Sequence, residues 1–151
     1  MYVDYEFYKG TYGGELIKED KWTGVGTRAD MFVDRITHNR LQDWPPEKEA
    51  AWISVRFAVC ALAEAMELVR IQKNQALKSA MAESVSAQGG RVKSITSGRE
   101  SITYADDYTS TAIAKAAGSP AEEERYYYST AAPYLANIAD ARGINLLYAG
   151  L

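Results

Sequence analysis

The chain has 151 residues, of which 47% are hydrophobic and 25% are charged, so its composition excludes bulk disorder and fits about one globular domain. One cysteine and one histidine exclude a disulfide framework and a zinc site built from several Cys and His ligands. The formal charge of −3 gives no sign of tight nucleic-acid binding through bulk charge, whereas the 11 tyrosines favour protein–protein contacts.

The sequence predicts a soluble chain that does not enter a membrane. No segment reaches the roughly 18 uninterrupted apolar residues of a membrane helix. The first residues lack the basic and apolar regions of a signal peptide. Cys60 falls in an apolar helical stripe, where we expect it to pack in the core as a reduced thiol.

Two helices are predicted in the first forty residues. Asp4 can cap a short helix that runs to about Lys9, and a second helical pattern runs from about Glu19 to Asn39. Gly24 and Gly26 each cost roughly 1 kcal/mol in a helix relative to alanine. We therefore expect a late start, a kink or a broken first turn in the second helix.

A long amphipathic helix is predicted from Pro46 to about Ser84, because proline suits the first helical position. Its length of about 58 Å exceeds the ~35 Å diameter of a compact domain of this size, so we expect it either to project or to break near Asn74. Apolar residues recur three and four positions apart and predict its core-facing stripe: Trp52, Val55, Val59, Leu62, Met66 and Val69. The residues expected to pack on this stripe are Phe32, Val33, Ile36 and Leu135.

The rest of the chain changes pattern twice. Residues 90–105 are rich in β-formers around a turn at Gly98, which predicts a small hairpin or an extended loop. A short helix is predicted from about Tyr108 to Ala117, and the Ser119–Glu122 capping box opens another. We expect Pro133 to kink this last helix and Gly143 to end it.

These elements predict a mainly α fold. We expect a single domain over residues 1–151: a small helical bundle around one long central helix, with the hairpin or loop at 90–105 and an extended apolar tail at 144–151.

No catalytic arrangement survives inspection, so the sequence predicts a protein that is not an enzyme and has no metal or cofactor. His38 lies at a helix end, where a cap or surface role is expected. The glycines at 24 and 26 follow no predicted strand and therefore do not make a dinucleotide-binding motif. The acidic run at Glu122–Glu124 suits the first turn of a helix.

Three groups of residues remain as interaction candidates. A positive patch on the predicted hairpin consists of Arg91, Lys93 and Arg99. It is interpreted either as a solvated strand edge whose charges prevent pairing with other strands or as a contact with DNA phosphates. Tyr126, Tyr127 and Tyr128 cover three faces of one helix, so at least one is expected at a subunit interface. The tail residues are expected either to dock on a partner or to fold back: Ile144, Leu146, Leu147, Tyr148 and Leu151.

The order of several motifs resembles the head–tail connector (adaptor, or head completion) proteins of long-tailed bacteriophages. Gly24 and Gly26 depart from the family pattern, as do Asn145 and Ala149, which stand where the family tends to have Gly and Arg. Extra residues also separate the last two motifs. The motifs that carry the resemblance span nearly the whole chain: Asp4–Tyr8, Tyr12-Gly13-Gly14, Ala29–Thr37, Ala58-Val59-Cys60, Ala63-Glu64, Val92-Lys93-Ser94, Gly98, Ser101–Tyr104, Tyr134-Leu135 and Leu146–Gly150.

The resemblance implies a non-enzymatic virion protein, made in the host cytoplasm and incorporated at the head–tail interface. It implies a homo-oligomeric ring, expected to be a dodecamer, that binds the portal protein above and the stopper or tail proteins below. Such a ring extends the channel through which double-stranded DNA passes without sequence recognition. The competing interpretation is a small helical adaptor or regulator that binds a cellular protein through its apolar C-terminal tail.

Overall fold

The computed structural model describes residues 1–42, 50–86 and 107–150 of the chain. Within these ranges no strand is formed, and an isolated antiparallel bridge joins Ala139 to Asn145. The prediction of a mainly α protein is confirmed, whereas the hairpin predicted at residues 90–105 lies outside the described residues. The helical elements are a π-helix at Phe7–Tyr12, α1 at Glu19–Ile36, α2 at Trp52–Ser86, α3 at Asp107–Gly118 and α4 at Pro120–Leu135.

The chain divides into two compact units. The first contains Met1–Glu67 together with Arg125–Leu151, and the second contains Leu68–Glu124. The first unit holds the π-helix, α1, the beginning of α2 and the C-terminal segment. All the predicted tail residues therefore belong to it, and so do the three consecutive tyrosines of α4.

The π-helix follows its predicted cap but runs to Tyr12, beyond the predicted end near Lys9. Asp4 Oδ1 accepts a hydrogen bond from the Phe7 N–H at 2.8 Å, which confirms the predicted cap. Gly13 ends the helix in the left-handed region, with φ at 79°. A Cβ atom on Gly14 would lie 2.0 Å from the Tyr8 ring, so only glycine fits beside this fully buried tyrosine.

Helix α1 is continuous through Gly24 and Gly26, so the expectation of a late start or a break was wrong. Trp22 explains the difference, because its ring stacks on Tyr8 at 4.4 Å between centroids and its Nε1 donates to the Val3 carbonyl at 3.1 Å. Tertiary packing of this kind outweighs the low helix propensity of two glycines.

Helix α2 runs without interruption from Trp52 to Ser86. Its end lies close to the predicted one. The predicted start at Pro46 lies outside the described residues, and a turn at Ala50 and Ala51 precedes Trp52. The break considered near Asn74 does not occur, and all side chains from residue 73 to 84 are exposed. Of the predicted stripe, Trp52 and Met66 are half-buried, and the fully buried members are Val55, Val59, Leu62 and Val69.

The residues expected to complete the core are mostly buried. Val33, Leu135 and Phe32 are buried, while Ile36 is half-buried. Cys60 is also buried, as predicted. The sequence analysis missed large core side chains that lie outside long helical repeats, where periodicity gives no signal: Val3, Tyr8, Ile17, Leu41 and Leu146.

The last two helices begin where the sequence predicts. Helix α4 starts at Pro120, and the Ser119 carbonyl accepts the Glu123 N–H at 2.9 Å. The helix ends at Leu135, so the prediction that it continues to Gly143 was wrong. Pro133 lies inside the helix, and beyond Leu135 the chain turns, with the Ile138 N–H donating to the Leu135 carbonyl at 3.1 Å.

Candidate interaction site

The C-terminal segment folds back on the first unit. We define the C-terminal loop as residues 138–148. The Leu146 N–H donates to the Ile138 carbonyl at 2.9 Å, and the Asp140 N–H donates to the Ile144 carbonyl at 2.8 Å. Leu146 is fully buried, so the expectation of an exposed apolar tail was wrong at this residue. Of the two arrangements predicted for the tail, the structure shows the one in which the chain folds back, as far as Leu147.

Asp140 organises the turn of the loop. Its Oδ1 accepts hydrogen bonds from the Arg142 N–H at 2.8 Å and from the Ile144 N–H at 3.0 Å. Its Oδ2 forms an ion pair with Arg142 Nη2 at 3.2 Å. These contacts hold the pKa of Asp140 below its usual range. The hydrogen bond from the Ile144 amide has the largest effect, and the contacts with Arg142 add to it. Asp140 is therefore ionised at neutral pH and fixes the turn.

Asn145 and Arg40 fasten the other side of the loop. The Asn145 side chain donates from Nδ2 to the Ala136 carbonyl at 2.5 Å and accepts the Leu147 N–H at 2.9 Å. Arg40 Nη1 donates to the carbonyls of Asn145 at 2.8 Å and Leu146 at 3.2 Å. The sequence analysis missed this role of Arg40, because its contacts are more than a hundred residues away in the chain.

The loop leaves an apolar face uncovered. Ile144 is 36% exposed and Tyr148 is 55% exposed, while Leu147 is half-buried. Leu151 lies outside the described residues. Of the predicted tail residues, Ile144, Leu147 and Tyr148 thus remain available to a partner, and Leu146 instead anchors the loop to its own core.

The three consecutive tyrosines divide between core and surface. Tyr127 is 8% exposed and meets the Phe32 ring edge-on at 5.8 Å, so it is a core residue of the first unit and not a free interface side chain. Tyr126 is half-buried, and this burial raises its pKa. Tyr128 is 44% exposed and is the most exposed of the three tyrosines.

Some of the tyrosines make hydrogen bonds inside the protein and are not free for contacts with a partner. The Tyr8 hydroxyl donates to Glu64 Oε1 at 2.8 Å and accepts the Ile17 N–H at 3.1 Å. The Tyr12 hydroxyl donates to Glu64 Oε2 at 3.3 Å. Burial raises the pKa of both tyrosines. The number of tyrosines alone therefore overestimates the surface available for protein–protein contacts, because composition does not distinguish a tyrosine with an internal hydrogen bond from one at an interface.

The other candidates from the sequence are the positive patch, a metal site and Cys60. Arg91, Lys93 and Arg99 lie outside the described residues. In the described part of the chain, no group of three or more His, Cys, Asp or Glu side chains could hold a metal ion. Burial raises the pKa of the Cys60 thiol to about 12, so this cysteine is protonated at neutral pH. Among the same residues, no helix is long and apolar enough to cross a membrane.

Comparison with protein-family models, with curated proteins and with solved structures gave no match. The resemblance to head–tail connectors therefore depends on the ordered sequence motifs alone. Independently of that resemblance, the structure shows an apolar face on a hydrogen-bonded C-terminal loop.

Proposed function

We propose that this chain is a non-enzymatic virion protein that forms a ring between the capsid portal and the stopper or tail proteins. The ring extends the DNA channel, so that the genome is retained after packaging and leaves through it during ejection. The C-terminal loop is the element that docks on the portal or on the adjacent subunit.

The apolar face of the C-terminal loop carries this proposal. Tyr148 and Ile144 are exposed although Leu146, between them, is fully buried. Exposed apolar side chains next to a firmly anchored residue favour contact with another protein, because water then leaves that apolar surface on binding. Repetition of one such contact around a ring multiplies a weak affinity through multivalency.

The charge of the chain is compatible with a DNA channel. A net charge of −3 leaves passing DNA free to slide, whereas a strongly basic lumen would bind its phosphates. Arg91, Lys93 and Arg99 are the proposed channel-facing exceptions. Three charges per subunit would give contacts that are weak and independent of sequence.

The test follows the chain through density-gradient separation of particles from cells that produce the encoding phage. We expect the chain to sediment with DNA-filled heads. Tyr148→Ala should reduce its share in heads about tenfold, since a large aromatic contact is lost in every subunit. Met31→Ala is the matched control, because Met31 is an exposed apolar residue on α1, and it should enter heads normally.

Two results would contradict the proposal. If the unmodified chain stays in the soluble fraction while heads fill with DNA, it is not a connector, and the cellular adaptor becomes the better interpretation. If Tyr148→Ala enters heads as well as Met31→Ala does, the loop is not the docking element.

A further inference from the structure

We propose that residues 1–3 form a pH-dependent latch on α1, which is closed when Asp30 is protonated and released when Asp30 loses its proton. The latch goes beyond the proposed function, because it belongs to the first unit of a single chain and needs no partner. Two carboxyl groups of α1 build it by holding the same residue, Tyr2.

Tyr2 is held on α1 at two points. Asp30 and Asp34 are one helical turn apart and therefore lie on the same face of α1. The Tyr2 N–H donates to Asp30 Oδ2 at 3.1 Å, and the Tyr2 hydroxyl donates to Asp34 Oδ1. The Tyr2 ring also meets the Trp52 ring edge-on, with 5.3 Å between the centroids. Release of Tyr2 would therefore uncover both carboxyl groups together.

The latch ends where the cap of the π-helix begins. Val3 is buried, and its carbonyl accepts the Trp22 Nε1–H at 3.1 Å. The next residue, Asp4, accepts the Phe7 N–H and so belongs to the π-helix that Tyr8 fixes in the core. Residues 1–3 can consequently leave α1 by breaking a few bonds, while the π-helix stays in place, which is the pattern of a local opening.

The position of Asp30 suits a protonated carboxyl group. The residue is 8% exposed, and its Oδ1 is buried without a hydrogen-bond partner among the described residues. A buried carboxylate oxygen that accepts no hydrogen bond disfavours the charged form. The charge of Asp34, one turn away, acts in the same direction.

The other groups that face Asp30 do not reverse this preference. The Tyr2 N–H and the Met1 amino group, which is 3.9 Å from Oδ2, favour the ionised carboxylate. From α2, the Cys60 thiol is close enough for Asp30 to act on its charge, and this thiol is neutral at pH 7. Burial outweighs the favourable contacts and raises the pKa of Asp30 to about 6.

Release of the latch gives the ionised carboxylate access to water, where an aspartate has a pKa of about 3.9. The preference for the closed latch is therefore complete below about pH 4 and is lost as the pH rises through the folded pKa, about 6. The equilibrium constant for opening should rise roughly tenfold to fiftyfold between pH 4 and pH 7.

The experiment follows hydrogen exchange of the Trp22 indole N–H in the purified chain. Its protection is expressed relative to the exchange rate of a free indole at each pH, which removes the ordinary pH dependence of exchange. In the unmodified chain, we expect protection to fall roughly tenfold to fiftyfold between pH 4 and pH 7. In Asp30→Asn it should change by less than about twofold, because a carboxamide does not ionise. Asp20→Asn, at an exposed position of α1, is the matched control and should follow the unmodified chain.

Two further measurements separate the latch from unfolding of the whole unit. Local opening exposes little surface, so low concentrations of urea should leave Trp22 protection unchanged while they lower that of the Val59 amide in the core. Tyr2→Phe removes the hydroxyl bond to Asp34, so its Trp22 protection should be lower at every pH with the same relative fall. Where Asp30→Asn lowers helix content, Asp34→Asn replaces it and should show a smaller fall, because one of the two charges is gone.

Three results would overturn the inference. Trp22 protection that changes by less than about twofold between pH 4 and pH 7 in the unmodified chain would mean that Asp30 does not control residues 1–3. A fall in Asp30→Asn equal to that of the unmodified chain would assign the pH dependence to another group. A loss of Trp22 protection in urea that parallels the loss at Val59 would mean that residues 1–3 leave α1 only when the whole unit unfolds.

Discussion

Tyr8 connects several elements within the first unit. Its ring stacks on Trp22, lies against Gly14, and its hydroxyl contacts both Glu64 and Ile17. One side chain thus connects the π-helix to α1, to α2 and to the segment between the π-helix and α1. Gly14, which faces the ring, is consequently a packing requirement, whereas Gly13 ends the π-helix.

Gly14→Ala tests this packing requirement. The added methyl would lie 2.0 Å from the Tyr8 ring, so we expect a loss of about 1–3 kcal/mol in the free energy of unfolding, measured by urea denaturation. Gly10→Ala is the control, since no atom lies within 4 Å of its Cβ position, and it should be neutral or slightly stabilising. Equal stability of the two variants would contradict the described position of Tyr8.

Asp30 is a buried carboxyl group with incomplete bonding. Its Oδ2 accepts the Tyr2 N–H at 3.1 Å, while its Oδ1 has no partner among the described residues. Asp34, whose side chain accepts the Tyr2 hydroxyl, and the amino group of Met1, 3.9 Å from Oδ2, are the charged groups beside it. Burial, as the main cause, raises the pKa of Asp30 to about 6.

A raised pKa gives stability that is full at low pH and lost as pH rises through the folded value. The contribution of Asp30 to the free energy of unfolding should therefore fall by about 1–2 kcal/mol between pH 4 and pH 6, less than the full shift implies because the side chain keeps some contact with solvent. In Asp30→Asn this slope should be flatter by that amount. Asp20→Asn, at an exposed position of α1, should keep the slope. Parallel pH profiles for Asp30→Asn and the unmodified chain would contradict the assignment.

At the scale of elements, the sequence predicted α2, α3 and the start of α4 well, because periodicity, caps and Pro120 all act locally. The continuity of α1 could not be predicted, since it depends on Trp22 meeting Tyr8 from another element. The structure of the C-terminal loop could not be predicted for the same reason, because Arg40, which donates hydrogen bonds to it, is distant in sequence. Burial of Leu146 is likewise decided by partners that no local pattern reveals.

The apolar stripe of α2 gives the prediction that belongs to this scale. Leu62 is fully buried, so Leu62→Ala should lower the free energy of unfolding by roughly 2–5 kcal/mol through lost burial and a residual cavity. Leu77→Ala is the matched control on the same helix, because Leu77 is 60% exposed, and its effect should stay below about 0.5 kcal/mol. A loss below that limit for Leu62→Ala would mean that another face of α2 lies inside.

At the scale of the whole molecule, the proposal is that many copies act together. A single C-terminal loop offers a small apolar face, and its affinity for a partner would be modest on its own. A closed ring repeats the contact with symmetry, which converts modest docking into stable attachment. The central claim is therefore about copy number in the particle as much as about any one contact.

The most direct measurement is the number of copies of this chain per DNA-filled head, determined by quantitative mass spectrometry against the major capsid protein. The account predicts a fixed number that equals the portal ring, the expected value being that of a dodecamer. Trace amounts that vary between preparations, or absence from filled heads, would contradict it.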